Sequence, residues 1–163
     1  MNKLKSELIS IIGIGAFTYL SISGFFIMIK DILRDLFIIL NTDNALNFWT
    51  TEIVIFVLFT ITSFLAIKLL FRGIEKSEFK TRKIFITLFI GFFVIQILQF
   101  LYSYFGTDYV IENHNEKFRD FYGYLRENSM LGFYSSLIGI CKYLMFGIII
   151  LIGKKTVANT VYN

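Results

Sequence analysis

Residues 84–106 read IFITLFIGFFVIQILQFLYSYFG, an uncharged run lying between Lys83 and Asp108. A hydrocarbon core about 30 Å thick is crossed by roughly 20 apolar residues at 1.5 Å rise each, so this run is long enough for one passage as a helix. Three others accompany it. Residues 8–29 lie between Glu7 and Lys30, and residues 53–71 follow Glu52 and carry only Lys68, whose stem reaches the interface from the last turn. Residues 130–153 precede Lys154 and Lys155 and are interrupted by Lys142 alone.

The composition agrees with four crossings. Hydrophobic residues make up 56% and charged residues 17%, against roughly 25% charge in soluble chains. The mean hydropathy is +0.68. The 163 residues are therefore expected to form a single domain, 1–163: an all-α, integral membrane, antiparallel four-helix bundle. The first run exceeds the 7 to 15 residues usual in a signal peptide and no Ala-x-Ala-like site follows it, so a retained span is expected.

Lys and Arg near span ends stay on the cytoplasmic side. Lys3, Lys5, Lys68, Arg72, Lys76, Lys80, Arg82, Lys83, Lys154 and Lys155 face only Glu7, Glu75 and Glu78 on one side of the sequence pattern. The two loops on the other side reverse the balance, with Lys30, Arg34, Lys117, Arg119 and Arg126 among nine acids. Both termini are expected in the cytoplasm. The formal charge of +4 then follows from topology, and no nucleic-acid partner is expected. The chain is rich in Ile, Phe, Lys and Asn, has four alanines and lacks an N-x-[ST] acceptor, a bias that suggests a bacterial inner membrane.

Both outer loops carry helical patterns. Ile32, Leu33, Leu36 and Phe37 alternate with Lys30, Asp31, Arg34 and Asp35, and His114, Phe118, Phe121, Tyr122 and Leu125 recur at three and four residues. Each is expected to form a short amphipathic segment on the headgroups. Trp49, Tyr102, Tyr104, Tyr109 and Tyr124 fit an outer aromatic belt. There is no proline, which excludes proline kinks.

Lys142 stands out, because its α-carbon lies about 18 Å along a helix from Lys154, and a cation at that depth costs roughly 2.5 to 3.5 kcal/mol. Ser135, Gly139 and Phe146 share its face, and Gly132 with Ser136 repeats the small-xxx-small spacing beside it, so this side of the helix is expected to pack closely inside the bundle. Gln96, thirteen residues after Lys83, reaches a matching level, with Gln99 and Ser103 on the same face. The expected intramembrane polar cluster is therefore Lys142, Gln96, Gln99 and Ser103, with no carboxylate inside the four runs.

No catalytic constellation is legible. One cysteine forms no internal disulfide or Cys-x-x-Cys redox pair, one histidine makes no His-rich metal site, and no histidine stands inside a run to activate Ser23. No cofactor or metal is expected. Two readings remain: an accessory, regulatory or immunity-type membrane subunit acting through helix–helix contacts, or a small homo-oligomeric channel or transporter with a polar path around Lys142, Gln96 and Gln99. Polar residues buried in the chain's own bundle favour the first, and an outward polar face favours the second. The expected partners are the lipid bilayer and a membrane protein or further copies of the chain.

Overall fold

A computed structural model describes residues 2–75 and 81–161, with side chains described over 12–70 and 84–152. The elements are α1 (Asn2–Ile39), α2 (Asn44–Glu75), α3 (Thr81–Leu101), a π-helical turn (Tyr102–Thr107), α4 (Asp108–Asn113), α5 (Asn115–Glu127) and α6 (Ser129–Val161). Among the described residues, four stretches are long and apolar enough to cross a membrane: Ile12–Ile39, Asn44–Leu70, Ile84–Asn113 and Ser129–Ile152.

The amphipathic segment expected after Lys30 is not a separate element. α1 continues unbroken to Ile39, because residues 30–39 contain neither Gly nor Pro to stop it. It ends where Asn41 adopts a left-handed conformation (φ 57°). The amide of Thr42 donates to Phe37 O and that of Asn41 to Ile38 O, the paired bonds of a Schellman cap. Asp43 then caps α2, its Oδ1 accepting from the Leu46 amide at 3.0 Å. The second amphipathic segment is present as α5, separated from α4 at His114.

α1 packs against both α2 and α3, and α2 packs against α6. α3 leans on α1, and no residue in its most apolar window is buried. Glycine permits that approach at Gly24, where a β-carbon would stand 3.0 Å from Gln96 Nε2 and 3.4 Å from Ile95 Cγ2. Phe17 of α1 fits edge-on against Phe85, Phe89 and Phe92 of α3.

The interior is layered. Ile22 and Phe26 of α1, Ile55, Phe59 and Ile67 of α2, and Phe146 and Ile149 of α6 form one apolar cluster. Ile38, Phe48, Val110, Phe121 and Leu131 form another around α5. Between them, at corresponding positions on three helices, lies a polar layer: Lys30, Arg34 and Asp35 on α1, Asn47, Thr51 and Glu52 on α2, and Ser135 on α6.

Candidate functional site

Glu52 is the centre of this layer and is 1% exposed. It sits eight residues into α2, about 12 Å along the axis from Asn44, on the same helical face as Phe48, Ile55 and Phe59. Its Oε1 accepts from Lys30 Nζ at 2.5 Å and from Ser135 Oγ at 2.6 Å. Lys30 Nζ also donates to Ser135 Oγ at 3.3 Å, so three helices close a triangle of hydrogen bonds on one carboxylate oxygen. A buried carboxylate is tolerable only when paired, and this pairing comes from residues 22 and 83 positions away.

One turn beyond Lys30, Asp35 is also 1% exposed. Its Oδ1 takes Arg34 Nε at 2.9 Å and Nη2 at 2.8 Å. Its Oδ2 takes the Tyr102 hydroxyl at 3.0 Å and Thr107 Oγ1 at 3.1 Å. Tyr102 and Thr107 bound the π-helical turn, and this explains the turn's presence. Five residues along an α-helix at about 3.6 per turn point roughly 140° apart, whereas i→i+5 bonding brings them to one side. Gly106 completes the arrangement. A β-carbon there would lie 2.6 Å from the Tyr102 ring, so only glycine lets the ring cross the backbone toward Asp35.

Arg34 links the layer to α5. Its Nη1 donates to Asp31 at 2.9 Å, its Cζ lies 5.7 Å from the centroid of the Tyr122 ring, and its carbonyl accepts from Asn47 Nδ2 at 3.2 Å. Thr51 Oγ1 in turn donates to Asn47 Oδ1 at 3.3 Å. Partial burial pushes the Tyr122 phenol above its ordinary pKa despite the opposing pull of Arg34, so the ring stays neutral and electron-rich over the guanidinium.

A cavity of about 280 Å³ opens beside this network. Lys30, Arg34, Thr51, Glu52 and Ser135 supply its polar wall, and Phe48, Phe121, Leu125 and Leu131 its apolar one. Both chemistries meet at the ends of the helices, under the amphipathic α5.

The residues singled out from sequence are divided by the fold. Lys142 is half-buried on the inward face of α6 with Ser135, Phe146 and Ile149, as its spacing predicts, and it feels the charges of Glu52 and Lys30. It does not meet the expected partners. Gln96 lies against Gly24 of α1, Ser103 is exposed, Gln99 is half-exposed, and among the described residues no hydrogen bond joins any of them to Lys142. The physical reason is the packing order, in which α3 leans on α1 while α6 packs on α2. The four runs themselves hold no carboxylate, but the helices extend beyond the expected bounds, and Asp35 and Glu52 lie in the added turns and are sealed inside.

The small residues of α6 do not serve as an intramolecular contact either. Ser135 is drawn into the Glu52 triangle, but Gly132 and Gly139 have open space where a β-carbon would be, and Ser136 is exposed with its hydroxyl returned to Gly132 O. Sequence reasoning missed Lys30, Asp35, Glu52, Tyr102 and Thr107 as interacting residues because each sits near a span boundary, where charge and aromatics ordinarily mark the interface. The available signal was Lys30, Asp31, Arg34 and Asp35 continuing the helical register of α1 without a breaker.

No protein-family model matches the chain, and no curated protein or solved structure shows significant similarity to it.

Proposed function

We propose that this chain is a non-catalytic multi-pass protein of a bacterial inner membrane, an accessory, regulatory or immunity-type subunit that acts through helix–helix contacts. Its four apolar helices cross as an antiparallel bundle with both termini in the cytoplasm, in accord with the distribution of Lys and Arg. The observation that carries the reading is the pair Ser136 and Gly139 on α6, the first exposed and the second with open space where a β-carbon would stand. In a bilayer, apolar surface alone gives little drive for association, and small residues let another helix approach closely. The charged residues, by contrast, turn toward the chain's own interior, where Lys30, Arg34, Asp31, Asp35 and Glu52 are paired.

The test is native mass spectrometry on protein extracted gently from its host membrane. A stoichiometric companion protein is expected, and Ser136→Leu with Gly139→Leu is expected to release it without loss of helicity. Recovery of the chain alone, or only as a homo-oligomer, overturns the subunit reading.

A second reading has its own support. The polar layer continues inward to Lys142 on the same face of α6, about 10 Å beyond Ser135, which suits a path through the bundle of a small channel or transporter. A flux across vesicles abolished by Lys142→Met in a normally folded protein would favour it.

A further inference from the structure

The cavity between α1, α2, α5 and α6 has bonding capacity that the protein does not use. Glu52 Oε1 takes two donors, while Oε2 takes none among the described residues and is not among the sealed unsatisfied atoms, so it borders the open space. Lys30 uses two of its three N–H groups, and Arg34 uses three of five. An occupant must therefore bring a donor for Glu52 and an acceptor for Lys30 and Arg34.

Charge narrows the choice further. Lys30 and Arg34 line the cavity beside Glu52, and Arg34 is also paired with Asp31 and Asp35, so both signs of charge stand side by side. A site that presents an unused carboxylate oxygen next to unused cationic N–H groups matches both ends of a zwitterion, whereas a bare anion leaves the carboxylate oxygen without a donor. Its volume, about 280 Å³, falls just under the roughly 300–1,000 Å³ that encloses a whole drug-sized ligand, so it holds a headgroup and not the entire amphiphile. The apolar wall of Phe48, Leu125 and Leu131 then receives the beginning of the apolar part. The location fits as well, because the cavity lies toward one end of the long helices and is bordered by α5, which has the amphipathic pattern of an interfacial helix.

We infer that this cavity binds the phosphoethanolamine group of a phosphatidylethanolamine lipid, its ammonium donating to Glu52 Oε2 and its phosphate accepting from Lys30 and Arg34. Phosphatidylcholine has the same net charge and the same phosphate but no N–H, so Glu52 discriminates against it. Phosphatidylglycerol has hydroxyl donors but brings a net negative charge.

The test is native mass spectrometry of the full chain in a non-ionic detergent, titrated with short-chain phosphatidylethanolamine, phosphatidylcholine and phosphatidylglycerol. The ethanolamine lipid is expected to bind at about tenfold lower concentration than either, the value of one charge-assisted hydrogen bond. Gly132→Leu places a side chain in the cavity where a β-carbon meets nothing, and should retain helicity and melting temperature while losing the adduct. Glu52→Gln keeps an oxygen for Lys30 and Ser135 and should erase the preference over phosphatidylcholine. Equal affinities for the three lipids, or an adduct undiminished in a folded Gly132→Leu protein, overturn the proposal. Free O-phosphoethanolamine is not expected to displace the lipid at equal concentration; displacement would assign the site to a soluble phosphate ester and overturn the lipid assignment.

Discussion

Glu52 receives both of its protein contacts on one oxygen, from a lysine on α1 and a serine on α6. Removing either charge of such a pair leaves the other desolvated, whereas removing both replaces the network with apolar packing. Glu52→Leu is therefore expected to cost about 3 kcal/mol, the low end of the usual range because Lys30 remains 34% exposed. The double variant Lys30→Met with Glu52→Leu should recover most of that loss. Denaturant unfolding in detergent measures both, and additive losses in the double variant would refute the coupling. Lys142 contrasts with this pair. It faces inward, as its spacing with Ser135 and Phe146 predicts, but its interior neighbours by charge are Glu52 and Lys30 and not the amides of α3.

Among the elements, the π-helical turn has the clearest structural cause. Asp35 needs two hydroxyl donors from one side of the helix following α3, and the extra residue per turn brings Tyr102 and Thr107 there together. Gly106 is part of the same solution, since the Tyr102 ring occupies the space of its missing β-carbon. Gly106→Ala should displace the ring, leave Asp35 short of a donor and lower stability by about 2 kcal/mol. In a Tyr102→Ala background the same change should be nearly neutral, and an equal loss in both backgrounds would show that the ring is not the reason for glycine. The α1–α2 corner was open to a sequence reading through Asn41 and Asp43, a left-handed cap followed by an N-cap. The π-turn was not, because its cause lies 67 residues away in Asp35.

At the scale of the molecule, two apolar clusters enclose a charged layer near one end of the helices, and α3 stands at the periphery against α1. The topology proposed above makes that end external. A reporter fused after Asn163 should then behave as cytoplasmic, and one inserted near Asn113 as external. The reverse pattern would place the cavity at the cytoplasmic leaflet and overturn the orientation. Lys30, Asp31, Arg34, Asp35 and Glu52 enter the sequence-based charge balance as loop residues, although they are helical and largely paired. The balance survives without them, because the remaining outer residues still hold more acids than cations while the inner side keeps its excess of Lys and Arg.

The sequence alone determined that there are four long apolar helices, that α5 is amphipathic and that Lys142 faces inward. These are properties of run length and periodicity, which depend only on neighbouring residues. Only the tertiary structure decided that Lys30, Glu52 and Ser135 meet, that Asp35 gathers Tyr102 and Thr107, and that Gln96 turns to Gly24 instead of Lys142. Such pairings are set by which helices are neighbours and by how each is rotated about its axis. A helix's own periodicity specifies which residues share a face, but the packing of all four specifies what that face meets.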